Sequence, residues 1–194
     1  MNWFALILSC SLPLLGFANI GPRGFSAYRN EYFVETGTCG GGSLLKAVRG
    51  GFRQLYSIDI EEGHVEYARN LLRRYRNVTI VQGDSATQLW ELIKGLDEPI
   101  TFWLDAHVFP PHLDGGKNCP LLEELEQIRW HPIKTHTILI DDLACCGKPE
   151  FDFLSAADLI RKILEINPEY QITTIDGGDD GEAKNNVLVA TPPD

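Results

Sequence analysis

Two hydrophobic patterns alternate along the chain from about residue 32 onward. Short runs of β-branched, aromatic and leucine residues lack a polar face, which is typical of strands buried on both sides in a parallel sheet. The segments between them carry apolar residues three and four positions apart, which is typical of amphipathic helices. The predicted strands are residues 32–34, 55–58, 78–81, 100–104 and 137–140, and the helical spacing covers 44–48, 65–75, 89–96 and 121–128.

The order of these elements indicates the fold class. Repeated strand, helix, strand units require right-handed crossovers and a parallel sheet with helices on both faces. After a further helix from about residue 153 to 166, strands at 170–175 and 186–190 flank a loop rich in Gly and Asp. Such a pair predicts an antiparallel hairpin at one edge of the sheet. We therefore expect a doubly wound α/β domain over residues 24–194, mostly parallel with an antiparallel final strand.

Charge narrows the range of partners. The 194 residues carry 17 Lys plus Arg against 27 Asp plus Glu, a formal net charge of −10. A field of this sign repels phosphate backbones. We expect no nucleic-acid partner.

The first 18 residues form an apolar stretch interrupted by Pro13, which is too short and too broken to span a bilayer comfortably. Small residues near Phe17 and Ala18 would suit a signal peptidase. No Lys or Arg precedes the apolar run, so an apolar extension is the alternative. If the segment is a signal peptide, the chain is exported with cleavage near Ala18. If it is not, the chain is cytoplasmic.

The cysteines leave two interpretations open. Cys145 and Cys146 are adjacent and could join Cys119 and either His107 or His112 around zinc, although this spacing matches no standard zinc site. The alternative is a set of reduced, partly buried thiols.

Three strand ends carry residues suited to one ligand. Ligands of doubly wound sheets bind outside the carboxyl ends of the strands. The first strand ends in a Gly-rich turn from Glu35 to Ser43, which either lets the backbone approach a ligand or is only a tight connection. The second ends at Asp59, where a carboxylate can accept two ribose hydroxyls, and the third ends at Asp84 and Ser85, where an acid can accept an amino group. Together they predict a ligand that contains a nucleoside.

This pattern resembles the class I S-adenosylmethionine-dependent methyltransferases, which have a Rossmann-like fold, and the resemblance covers residues 30 to 192. Glu35, Gly37 and Gly41 match the family's turn of an acid followed by alternating glycines, while Cys39 stands where the middle glycine is usual. The resemblance implies that S-adenosyl-L-methionine is the cofactor. It also implies that the turn holds the cofactor's amino-acid end, that Asp59 binds the ribose, and that Asp84 with Ser85 binds the adenine.

The fourth and fifth strand ends resemble those of cation-dependent small-molecule O-methyltransferases. By that comparison Asp105, Asp141 and Asp142 are ligands of a divalent cation such as magnesium (Mg2+), and Asp105 belongs to the catalytic group. Asp142 replaces an amide, and Val108 replaces the lysine that acts as the family's base. His107 is then the candidate base, and a hydrogen-bonded histidine with no part in catalysis is the alternative.

The expected function is methyl transfer to an oxygen of a small-molecule or sugar-like acceptor, with a cation possible. The alternative is an exported nucleoside-ligand-binding protein that keeps the fold without turnover.

Overall fold

The computed structural model describes residues 24–177 and 183–193. Seven strands form one sheet: β1 (Tyr32–Thr36), β2 (Gln54–Asp59), β3 (Val78–Gln82), β4 (Ile100–Leu104), β5 (Thr137–Ile140), β6 (Gln171–Gly177) and β7 (Ala183–Thr191). Five helices connect them: α1 (Gly42–Val48), α2 (Glu62–Leu72), α3 (Ser85–Ile93), α4 (Leu121–Trp130) and α5 (Ala156–Ile166). The segment with the predicted signal peptide and Cys10 lies outside the described residues.

The strand order is β3-β2-β1-β4-β5-β7-β6. β1 to β5 pair in parallel, and β7 runs antiparallel to both β5 and β6. Helices α1 and α2 pack on one face and α3, α4 and α5 on the other, with a separate hydrophobic cluster under each layer. The predicted doubly wound sheet with an antiparallel end is confirmed. Among the described residues, no helix is both long enough and apolar enough to cross a membrane.

Of the five parallel strands, three are buried on both faces along their whole length. Every residue of β1, β4 and β5 is buried. In β3 only Ile80 is buried, so the expectation of two-sided burial was wrong for that strand. The physical reason is its place at the edge of the sheet, where Val78 and Ile80 face the layer of α1 and α2. Thr79 and Val81, on the other face, stay exposed or half-buried.

Helix α5 begins later than the pattern predicted. Ser155 caps it and forms a reciprocal capping box with Asp158, so that the helix starts at Ala156. The two residues before the cap region, Asp152 and Phe153, have left-handed backbone conformations with φ of 49° and 63°. Asp152 also contributes to the candidate site, because its carboxylate holds one of the loops of that site.

Candidate active site

A cavity of about 430 Å³ opens at the carboxyl ends of β1, β2, β3 and β4, where the strand order reverses between β1 and β4. Its volume lies in the range of about 300–1,000 Å³ that small-molecule sites occupy. Six of the predicted site residues line it, namely Gly37, Asp59, Asp84, Ser85, Asp105 and His107. The other four, which are Glu35, Gly41, Asp141 and Asp142, are not lining residues.

Asp59 is oriented by the backbone around it. Its Oδ2 accepts a hydrogen bond from the Cys39 amide at 2.7 Å, and its Oδ1 accepts one from the Glu61 amide at 2.9 Å. His64 approaches the same Oδ1 at 3.4 Å. A carboxylate has about four acceptor positions. With these three contacts in place, Asp59 keeps one acceptor position on Oδ2, and a ligand hydroxyl that displaces His64 gains a second on Oδ1.

Asp84 is the cap of helix α3. Its Oδ1 accepts the Ala86 amide at 2.9 Å, which satisfies one free donor of the helix N-terminus. The second oxygen is left for another partner. Ser85, the first residue of the helix, is buried in the wall of the same cavity.

The Gly-rich turn lines the cavity with Gly37 and Cys39. At Gly37 φ is 81°, and a Cβ there would lie 2.3 Å from the carbonyl oxygen of Asp105. Only glycine fits between the ends of β1 and β4. Gly41, with φ of 72°, precedes α1 and packs against Ala68 of α2. Cys39, in place of the family's glycine, also has a positive φ of 43°, so the turn keeps the glycine-type backbone at this position.

Glu35 lies behind this turn and is fully buried. Its carboxylate accepts hydrogen bonds from the hydroxyls of Ser43 and Ser57, and Ser57 also pairs with Thr38 at 2.6 Å. Burial raises the pKa of Glu35 to about 7, against the lowering effect of the two serine hydroxyls. Glu35 therefore links the start of α1 to β2 through hydrogen bonds and stabilises the turn from its buried side.

Asp105, His107 and Asp142 form a cluster at the ends of β4 and β5. The His107 Nδ1 lies 3.6 Å from Asp105 Oδ1, and its Nε2 lies 3.6 Å from Asp142 Oδ2. One ligand atom from each of the three residues lies within 4.8 Å of the other two. Burial lowers the pKa of His107, and burial with neighbouring carboxylates raises the pKa of Asp105 well above its usual range.

Asp141 stands outside this cluster, which differs from the three-aspartate set that the resemblance implied. Its Oδ1 accepts the amide of Asp142 at 2.8 Å. Burial, reinforced by the charge of Asp142, raises its pKa to about 7. The left-handed backbone at Asp142, with φ of 55°, separates the two adjacent carboxylates.

The loop between β4 and α4 supplies the remaining wall, with Phe109, Lys117 and Asn118 among the lining residues. Asp152 holds this loop, because its carboxylate accepts the Asn118 amide at 3.1 Å and the Cys119 amide at 3.0 Å. The buried Asn118 side chain in turn binds both the amide and the carbonyl of His112, at 2.6 and 3.2 Å.

The sequence reasoning missed four residues around the cavity: His64, Asn118, Asp152 and Asn186. His64 lies five residues after Asp59 and could have been found by its spacing. Asn118, Asp152 and Asn186 act through partners that are distant in the sequence. The alternative zinc site is not supported, since the metal-compatible cluster found among the described residues contains no cysteine. Cys119, Cys145 and Cys146 are free thiols, as in the other interpretation.

Solved structures with a similar fold include methyltransferases. An O-methyltransferase from Bacillus cereus in complex with S-adenosylhomocysteine (SAH) is 17% identical with a TM-score of 0.59, covering 87% of this chain and 77% of that one. The O-methyltransferase TomG from Streptomyces achromogenes, in complex with S-adenosylmethionine (SAM), is 16% identical with a TM-score of 0.60, covering 88% and 76%. The N-methyltransferase NodS from Bradyrhizobium japonicum WM9 is 12% identical with a TM-score of 0.56, covering 88% and 91%.

No protein-family model matches the chain, and no curated protein matches it by sequence. At these low identities the likeness establishes the fold, which is that of class I methyltransferases. Because both O- and N-methyltransferases share it, the fold does not identify the acceptor atom.

Proposed function

We propose that this protein is a SAM-dependent methyltransferase that acts on an oxygen of a small-molecule or sugar-like acceptor. The observation that carries the proposal is the order of groups along one cavity. Going from β3 to β4, the cavity wall contains Asp84, then Asp59, then the close backbone at Gly37, and then Asp105 with His107. Acceptors for a nucleoside thus lie on one side, and a proton-accepting pair lies on the other.

The cofactor end of the cavity fits an adenosine group. Asp59 has one unused acceptor position and a second that a ribose hydroxyl can take from His64, and Asp84 has one free oxygen for an exocyclic amine. Ile58 and Ile60 add apolar surface beside them. The turn leaves room for the amino-acid portion at Gly37, because glycine has no side chain.

The other end can remove a proton from an acceptor hydroxyl. When bound, SAM supplies a methyl group on a positively charged sulfur, and the carbon–sulfur bond breaks as the bond to the acceptor oxygen forms. His107 is neutral near pH 7 because burial lowers its pKa, so a ring nitrogen can accept the hydroxyl proton. Asp142, 3.6 Å from Nε2, stabilises the imidazolium that results.

A divalent cation at this end would be held by Asp105, His107 and Asp142, which form the metal-compatible cluster. It would orient an acceptor hydroxyl and lower its pKa. Mg2+, which we expected from three carboxylates, stays a prediction.

Isothermal titration calorimetry with SAM and SAH tests the proposal. We expect binding to the wild-type protein, and Asp59→Ala should weaken it about tenfold or more, because a hydrogen bond to a charged group contributes about 1.5–3 kcal/mol. Glu98→Ala is the matched control, since it removes an exposed carboxylate just before β4, at the opposite end of the strand from the cavity.

Absence of binding heat with either compound, together with no thermal shift, would refute the proposal. Binding without transfer of a labelled methyl group to any of a panel of catechols, phenols and sugars would instead support the non-catalytic binding protein.

A further inference from the structure

The imidazole ring of His107 lies between two carboxylates without forming a normal hydrogen bond to either. Both nitrogen-to-oxygen distances are 3.6 Å, longer than the 2.7–3.2 Å typical of N–H···O hydrogen bonds. One ligand atom of each residue nevertheless lies within 4.8 Å of the other two. We call Asp105, His107 and Asp142 the Asp-His-Asp group. Its donor atoms converge, but the contacts among them leave their binding capacity unused.

The Asp142 carboxylate is held in place from outside the group. Asn186 of β7 donates its side-chain Nδ2–H to Asp142 Oδ1 at 3.0 Å, and its own Oδ1 accepts the Ala144 amide at 2.8 Å. The second oxygen of Asp142 is the one near His107. A buried amide that fixes one carboxylate oxygen and leaves the other to the site is the kind of outer hydrogen bond that orients metal ligands. The group therefore combines converging donor atoms with a carboxylate, Asp142, that is fixed from outside the group.

The donor set also selects among cations. Mg²⁺ prefers oxygen ligands in near-ideal octahedral geometry, whereas an imidazole nitrogen suits first-row transition metals. We propose that the Asp-His-Asp group binds a first-row transition-metal dication of the Mn²⁺ or Fe²⁺ kind, through one nitrogen and two carboxylate oxygens. Asn186 is a positioning residue that holds Asp142 for this ion.

This inference deepens the proposed function by changing the role of His107. A ring nitrogen that binds a metal does not accept a proton, so the cation acidifies the acceptor hydroxyl in place of a histidine base. Metal binding itself needs no methyl donor. A failure of Mn²⁺ binding and a failure of SAH binding are therefore separate results, because each is measured without the other ligand.

The test uses the full chain, treated with chelator and titrated with MnCl₂. Calorimetry and electron paramagnetic resonance should give one site per chain, and an excess of Mg²⁺ of about tenfold should not displace the bound Mn²⁺. Electron spin-echo spectra of the wild-type protein should contain modulation from a directly coordinated nitrogen. This last measurement decides the matter even where a variant fails to fold.

Variants separate the proposed ligands from their neighbours. His107→Ala should weaken Mn²⁺ binding and abolish the nitrogen modulation, and Asn186→Ala should weaken binding about tenfold, as for other outer-shell partners. His64→Ala is the matched control, since this second histidine lines the same cavity and lies near an aspartate, 3.4 Å from Asp59, but is outside the group. It should leave Mn²⁺ binding unchanged.

Three results would overturn the proposal. The first is no saturable Mn²⁺ binding. The second is bound Mn²⁺ without nitrogen modulation, or binding that His107→Ala leaves intact. The third is displacement by an equal concentration of Mg²⁺ with loss of binding in Asp141→Asn, which would establish the all-carboxylate site instead.

Discussion

Replacing Glu35 by glutamine should make the protein relatively more stable as the pH rises. Glu35 is fully buried between Ser43 and Ser57, and burial raises its pKa from the usual 4.5 to about 7. An acid whose pKa is raised on folding contributes stability below its unfolded pKa, and that contribution is lost as the pH rises through the folded pKa. Glutamine has a similar shape and does not ionise.

The magnitude follows from the size of the shift. A shift from 4.5 to about 7 corresponds to about 3 kcal/mol of stability lost between acidic and alkaline pH. Between about pH 5.5 and 8.5, which avoids the isoelectric region, about 2 kcal/mol of this loss remains. The charge of Glu35 also acts on Asp105, and its removal adds a contribution of the same sign.

Urea denaturation of both proteins across this pH range measures the effect. The free energy of unfolding of Glu35→Gln minus that of the wild type should increase by about 2 kcal/mol from pH 5.5 to 8.5. The other buried carboxyls titrate in both proteins and largely cancel in the difference. Glu98→Gln, at an exposed site, should show no such trend. A flat or falling difference for Glu35→Gln would mean that Glu35 is already ionised near its usual pKa, and our account of the buried support would be wrong.

Two further substitutions test the backbone of the site. Gly37→Ala should destabilise the protein by about 2 kcal/mol or more and weaken SAH binding, because its φ is 81° and its Cβ would lie 2.3 Å from the Asp105 carbonyl oxygen. Gly40→Ala, whose Cβ would meet nothing within 4 Å, should stay within about 0.5 kcal/mol of the wild type. Equal effects of the two substitutions in urea denaturation would contradict this close approach of β1 to β4. Asp152→Ala should lower the free energy of unfolding by about 2–4 kcal/mol, since it removes the acceptor for the Asn118 amide and places alanine at a φ of 49°. A midpoint of urea denaturation unchanged from the wild type would show that this carboxylate does not hold the loop.

The strands could be predicted because buried parallel strands leave an almost local signal. Runs such as 100–104 and 137–140 are continuous apolar segments, and their observed limits agree with the pattern. β3 shows where that signal fails. Its residues have strand character, but its place at the sheet edge follows from the strand order, which no single run encodes.

The candidate site divides in the same way. Asp59, Asp84 and Asp105 were predicted to lie together because each stands at or just after the end of a strand, and carboxyl ends of parallel strands meet at one edge of the sheet. The metal-compatible cluster was expected to contain Asp141, but it contains His107 instead. The left-handed backbone at Asp142 and the bond between Asp141 Oδ1 and the Asp142 amide decide which carboxylate faces the histidine.

The sequence by itself determined the α/β architecture, the antiparallel end and the acids placed around one cavity, because these depend on periodicity and on residues next to strands. Only the tertiary structure decided which of those acids line the cavity and which support it from behind, as Glu35 does. Asn186 lies 44 residues from Asp142, and Asp152 lies 34 residues from Asn118. Hydrogen bonds over such separations form only once the order of the strands and the paths of the loops are set, so no local sequence pattern predicts them.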